Sequence, residues 1–258
     1  MHFKKINIYF SLFFLSALFF SCQTFYQPQS VQYKDYRLTN YFNKDSAMQA
    51  ALKPYSDSVN KSMNDIIVVS EIELEKKQPE GNLGNLMADA MLSMAKEKYK
   101  QSVDAAFINF GGIRQNAIPA GNITRGKLFE LAPFDNIIVL QKVSGKILQE
   151  FLDHISGRGG WPTAGMQWQI KNLPTGQAGK KAINVKVGGN AISESSTYTI
   201  ALVDYVANGG DDCAMLKTVP QTNNGMLFRD AIIEYLNRMN AAGKKINIEE
   251  ENRVSHAK

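Results

Sequence analysis

Apolar residues recur along this chain at changing spacings, and each change predicts a new element. The first stretch, Ile6 to Phe20, is predominantly apolar, follows Lys4 and Lys5 and ends at Ser21-Cys22. That is the three-part form of a secretory signal, and it is too short for a convincing membrane-spanning helix. From Gln23 to about Asn40 the chain is polar with no clear period, as a tether would be. Helical spacing follows over 45–63, with a break expected near Pro54. The Ile- and Val-rich stretch 65–74 reads as a strand. Asn82 is placed to cap a helix over 83–99, where Leu83, Leu86, Met87, Ala90, Met91 and Met94 share a face. The methionines suit a core better than a ligand face.

Strand and helix then alternate: a strand at 105–109, a short helix at 127–131, a strand at 137–143, and a helix at 145–154 that Ser144 can cap. Beyond 160 the pattern turns β-rich, with strands expected at 166–171, 184–187 and 197–203 and turn residues at Gly188-Gly189-Asn190. A last helix, 226–242, carries Leu227, Ala231, Ile232, Tyr235, Leu236 and Met239 on one face and stops at Gly243. The pattern predicts a mixed α/β (α+β) fold. Its expected organisation is a signal over 1–21, a tether over 22–44 and one folded unit over 45–258.

Composition adds constraints. A small residue directly before a cysteine at the end of an apolar run resembles a bacterial lipobox, which would make Cys22 a lipid-bearing mature N-terminus; ordinary cleavage and release is the alternative. Of the two cysteines, that leaves Cys213 without a partner, so no disulfide is expected and a small buried hydrophobe is its simplest role. The net charge of +5 is dispersed among mixed runs such as Lys96-Glu97-Lys98, which speaks for a solvated surface rather than a nucleic-acid partner. A mild positive field still favours anionic ligands.

There are three histidines. His2 lies in the signal and His256 in the polar tail, and His154 ends a helix, where a solvated or dipole-favoured position is the simpler reading. A dinuclear metal centre is not expected, nor is a stand-alone phosphatase. No Gly-x-Ser-x-Gly, Walker-type or Gly-x-Gly-x-x-Gly motif occurs.

What remains points to recognition. Asn109-Phe110-Gly111-Gly112-Ile113-Arg114 and Tyr205-Val206-Ala207-Asn208-Gly209-Gly210-Asp211 each follow a β-like run and look like two halves of one site. Paired glycines let the backbone approach a ligand, an arginine suits phosphate, and a carboxylate suits sugar hydroxyls. Phe134 sits in a turn after Ala132-Pro133, and Tyr205 opens the second cluster. Two rings across a gap can sandwich a flat heterocycle, with stacking worth about 1–3 kcal/mol per base. From spacing alone, core filling by both rings is the simpler reading, and plain tight turns are the alternative at the glycines.

The run Glu80-Gly81-Asn82-Leu83-Gly84-Asn85-Leu86-Met87-Ala88-Asp89-Ala90-Met91, then 109–114, then Leu131-Ala132-Pro133-Phe134, then Asn208-Gly209-Gly210-Asp211, resembles the C-terminal domain of the 5′-nucleotidase family. The resemblance runs in order from about residue 45 to 240. It implies layered sheets flanked by helices that hold the nucleotide, while a separate metallophosphoesterase domain, with no counterpart expected here, holds two metal ions and hydrolyses. Phe134 and Tyr205 would then stack on the base, Asn109 would hydrogen-bond it, Asp211 would bind the ribose hydroxyls, and Arg114 would face ribose and phosphate, with Gly111, Gly112, Asn208 and Gly210 shaping the site. Lys77 stands nearest to a second family arginine, keeping the charge and losing the fork.

The expectation is the substrate-binding half of a hydrolase, inactive alone and needing no cofactor itself. It would act with a separately encoded metallophosphoesterase that carries the divalent metals. It would be anchored by lipid in a bacterial cell envelope, facing the periplasm or the exterior. The alternative is an envelope lipoprotein that binds nucleosides or nucleotides without catalysis.

Overall fold

The structure, a computed structural model, describes residues 30, 32–34, 45–174 and 179–257. The signal at 1–21, Cys22 and most of the tether lie outside the described residues. No helix among the described residues is long and apolar enough to cross a membrane. The chain divides into two units, 1–49 and 50–258, and the elements below belong to the second, apart from the first residues of the first helix.

In chain order the elements are α1 (Ser46–Met63), β1 (Ile66–Ser70), β2 (Leu74–Glu75), α2 (Asn82–Tyr99), β3 (Ala105–Phe107), β4 (Ala117–Ile118), β5 (Gly121–Thr124), α3 (Arg125–Leu131), β6 (Ile137–Ser144) and α4 (Gly145–Gly157). They continue with β7 (Thr163–Ala164), β8 (Met166–Asn172), β9 (Lys180–Val187), β10 (Asn190–Ala191), β11 (Thr197–Val203), α5 (Asp204–Ala207), β12 (Gln221–Leu227), α6 (Phe228–Ala241) and β13 (Val254–His256). The chain is thus mixed α/β, with layered sheets flanked by helices.

A five-stranded sheet, in the order β12-β6-β11-β3-β7, forms its centre. Four consecutive residues of β6, Ile138 to Gln141, are buried, so both faces of the sheet are covered. Helices α2 and α4 pack against it, and α4 also packs against β9 of a four-stranded sheet ordered β10-β9-β8-β13. Aromatic rings knit these layers together. Phe107 meets Phe151 edge-on at 5.0 Å, and Phe151 meets Trp161 at 5.8 Å. Trp168 is buried on β8 with its indole N–H on Ser156 Oγ at 3.0 Å.

Strand directions place the site. β11 runs parallel to β3 and antiparallel to β6, with Ile200 opposite Ala105 and Val203 opposite Ile138. The chain therefore leaves β3 and β11, and enters β6, at one edge of the sheet. Loops converge outside the carboxyl ends of strands, the usual ligand position in such sheets.

Several expectations need correction. α1 runs through Pro54 without a break; it has no buried residue, so the carbonyl deprived of a proline N–H can be hydrated. The single strand expected at 65–74 is two, β1 and β2, in different two-stranded sheets, because Ser70 Oγ donates to the Ile72 carbonyl at 2.7 Å and turns the chain between them. Asn82 does not cap α2. The cap position is Gly81, and the Asn82 amide instead bridges the Glu75 N–H (2.6 Å) and the Glu73 carbonyl (3.0 Å). The last helix starts at Phe228, since Met226 and Leu227 end the mostly polar edge strand β12, paired with β6 alone. The tail holding His256 forms β13, parallel to β8. Ser144 caps α4 as expected, accepting from the Ile147 N–H at 3.3 Å.

Cys213 is buried, and burial pushes its thiol up to about 12. A thiol so placed holds almost no thiolate near neutrality. In the chain lacking Cys22, Ellman's reagent should leave Cys213 unmodified in mildly alkaline buffer and label it on unfolding. Prompt labelling of the folded chain would show instead that the 208–216 segment opens readily.

Candidate functional site

At the converging edge lies a cavity of about 350 Å³. Asn109, Gly111, Gly112 and Arg114 form one side of its wall, and Phe134, Asn136, Tyr205 and Asp211 complete it. Phe134 follows α3 in the loop leading into β6; Tyr205 lies in α5, just past β11. Both rings are 48% exposed, so neither is core filler.

Asp211 is held on every side. Its backbone is left-handed (φ 52°), a conformation that a short polar side chain tolerates better than most. Its Oδ2 accepts from Asn109 Nδ2 at 2.7 Å, and its Oδ1 from the Tyr205 hydroxyl at 3.3 Å. That hydroxyl also accepts from the Asp211 N–H at 3.3 Å. His154 Nε2 lies 2.9 Å from the Asp211 carbonyl oxygen, which can only accept, so the ring donates there. An ionised carboxylate has about four acceptor positions, so two remain for a further donor pair.

Two glycines are required by close approach. A Cβ on Gly112 would stand 2.6 Å from Asn109 Oδ1, and one on Gly210 would stand 2.5 Å from the Tyr205 carbonyl oxygen and 2.6 Å from its ring. Gly210 thus backs Tyr205 rather than lining the cavity. Asn208 is also outside the wall; its side chain accepts from Gln221 Nε2 at 2.9 Å and ties the loop to β12.

Arg114 is exposed, and its guanidinium lies 5.8 Å from the centre of the Phe134 ring. Its hydrogen bond among the described residues goes to the Gly111 carbonyl, at 3.2 Å. Lys76 donates to the Ile113 carbonyl at 2.9 Å, with its ammonium 4.0 Å from the Phe110 ring centre. Burial, and then the charge of Arg114, lower its pKa. The two cations repel, so an anion between them would relieve the repulsion.

Lys77 does not reach the cavity. It pairs with Glu75 at 2.6 Å and Glu250 at 3.7 Å, and the hydrogen bond to Glu75 raises its pKa. Adjacent residues on an extended segment point to opposite sides, and here the inward one is Lys76.

Sequence reasoning missed Asn136, Lys76 and His154. Asn136 lies two residues beyond Phe134 in the same turn, so the turn itself was the available signal. His154 was read from its own helix; its partner lies 57 residues away.

The sequence profile of the family described as 5′-nucleotidase, C-terminal domain, matches residues 59–218. A 5′-nucleotidase of Vibrio cholerae is 28% identical over 205 residues, covering 77% of this chain and 35% of the relative. An apyrase of Anopheles gambiae is 28% identical over 224 residues, covering 80% and 38%. Among solved structures, a 5′-nucleotidase precursor from Thermus thermophilus superposes with a TM-score of 0.71 at 26% identity, covering 81% of this chain and 43% of that one. The chain spans well under half the length of these relatives.

Proposed function

Because this chain belongs to the 5′-nucleotidase C-terminal domain family, we propose that its cavity receives a nucleotide or nucleoside and that the chain supplies the substrate-binding half of a 5′-nucleotidase-type hydrolysis. The observation that carries this reading is the pair of half-exposed rings, Phe134 and Tyr205, on one cavity whose wall also holds Asp211 and Arg114. The base stacks between the rings, Asn109 and Asn136 meet its edge, and a ribose diol donates to the two remaining acceptor positions of Asp211. The phosphate lies toward Arg114, with Lys76 strengthening the positive field behind it.

The described residues contain no group of three or more His, Cys, Asp or Glu side chains that could hold a metal ion. No step at phosphorus is assigned to this chain. We assign that chemistry to a separately encoded metallophosphoesterase. Cys22 anchors the chain by lipid in the cell envelope, facing the periplasm or the exterior. A second reading, resting on the same rings and carboxylate, is capture of nucleosides or nucleotides without hydrolysis.

Titrating adenosine, 2′-deoxyadenosine and AMP into the chain without divalent metal tests the site. Adenosine and AMP should bind, AMP more tightly through Arg114. Loss of one hydroxyl bonded to a carboxylate should weaken 2′-deoxyadenosine by about tenfold. Absence of binding by all three ligands would sink the nucleotide reading. Adding this chain to a metallophosphoesterase should raise AMP hydrolysis above that of the enzyme alone; an unchanged rate with intact binding leaves the capture reading standing.

A further inference from the structure

Arg229 is the second residue of α6, and its side chain is only 9% exposed. Its Nη1 donates to the carbonyls of Ala132 (3.2 Å) and Pro133 (3.1 Å), and its Nη2 to Asp135 Oδ1 (2.5 Å). The guanidinium carbon lies 4.2 Å from the centre of the Phe129 ring on α3. These bonds fall on three of the four residues from 132 to 135. The fourth is Phe134, whose ring is left in the cavity wall.

Burying a guanidinium is costly, and here its Nε has no hydrogen-bond partner among the described residues. An apolar side chain of similar length could cover Phe129 without that penalty, and exchanging buried charges for hydrophobic residues is often neutral or stabilising. What an apolar residue cannot supply is a planar fork reaching two carbonyls and a carboxylate at fixed angles. Register explains why the fork arrives here: Leu227 pairs with Ile137, so α6 begins beside the start of β6, where the 132–136 loop ends.

We propose that Arg229 is a positioning residue for the ligand site, its fork holding the 132–135 turn so that the Phe134 ring stands in the cavity wall. This rests on the nucleotide reading above only for what the ring does there. The residue is silent in the sequence, since a lone arginine far downstream carries no motif.

The test compares Arg229→Lys, Phe134→Ala and the double variant, with adenosine and ribose 5-phosphate as ligands, and follows amide exchange of the ligand-free chain. Arg229→Lys should weaken adenosine about tenfold, leave ribose 5-phosphate unchanged, and cause no further loss once Phe134 is alanine. Exchange should quicken at the Ala132 and Ile137 amides while the buried turns of α2 keep their protection. Asp135→Ala removes one arm of the fork at a side chain that is 75% exposed, so it should fold even if Arg229→Lys does not, and should weaken adenosine about threefold. Equal loss of both ligands, equal loss with and without Phe134, or unchanged exchange in the 131–137 segment would each overturn the proposal. If the unaltered chain bound no adenosine, the nucleotide reading alone would fail, and exchange would still decide whether Arg229 holds the turn.

Discussion

Replacing Phe134 and Tyr205 together with alanine should weaken adenosine binding on the order of a hundredfold to a thousandfold, while shifting the melting temperature by no more than a few degrees. Stacking contributes about 1–3 kcal/mol per ring, and each 1.4 kcal/mol is tenfold in affinity. Both rings already have nearly half of their surface in water, so truncation forfeits little burial in the ligand-free chain. Tyr205 adds a second contribution through its hydroxyl, which touches both the carboxylate and the N–H of Asp211. Tyr205→Phe isolates that contribution: it keeps the stacking face and should cost several-fold at most, chiefly with ribose-bearing ligands. Calorimetric titration beside thermal unfolding separates binding from stability. Retained affinity in the double variant would return both rings to a structural role and remove the basis for the nucleotide reading.

The parts of this chain that sequence reveals are those where burial is dense enough to impose a pattern. β6 and β11 are covered on both faces and read as continuous apolar runs, and α2 buries a full face, so its period of 3.6 is plain. β12 escapes because it is an edge strand with solvent on most of its length, and Gln221-Thr222-Asn223-Asn224 resembles a loop. β13 escapes for a similar reason: three residues gain strand character only because β8 offers them an open edge. The glycine clusters of the site are legible because close approach demands glycine at Gly112 and Gly210 whatever the ligand. The side chains that hold the site in place are not, since Arg229, His154 and Lys76 act on residues that meet them only through the fold. Lys77 shows the same limit from the other side, for proximity in sequence cannot tell which of two adjacent lysines faces inward.

Phe107→Ala should produce the largest loss of stability, about 3–5 kcal/mol, the usual range for deleting a fully buried phenylalanine. The ring is wholly buried on β3, edge-on to Phe151 at 5.0 Å and tilted against Trp168 at 6.4 Å. Removing it leaves a hole between the five-stranded sheet, α4 and the four-stranded sheet, where backbone hydrogen bonding on both sides resists collapse. For a domain of this size each kcal/mol moves the melting temperature by about 2–4 °C, so the variant should melt roughly 6–20 °C lower. Phe110→Ala, three residues along, is the internal comparison. That ring is only partly buried, so its loss should cost under about 1.5 kcal/mol. The site should register the difference as well, because β3 delivers Asn109, whose amide holds Asp211. In Phe107→Ala, saturating adenosine should therefore raise the melting temperature less than it does in the unaltered chain, since ligand stabilisation follows native-state affinity. Equal melting of the two variants would mean that the layers are not joined through Phe107. An undiminished ligand-induced shift in a strongly destabilised Phe107→Ala would mean that the cavity keeps its shape without the core beneath it.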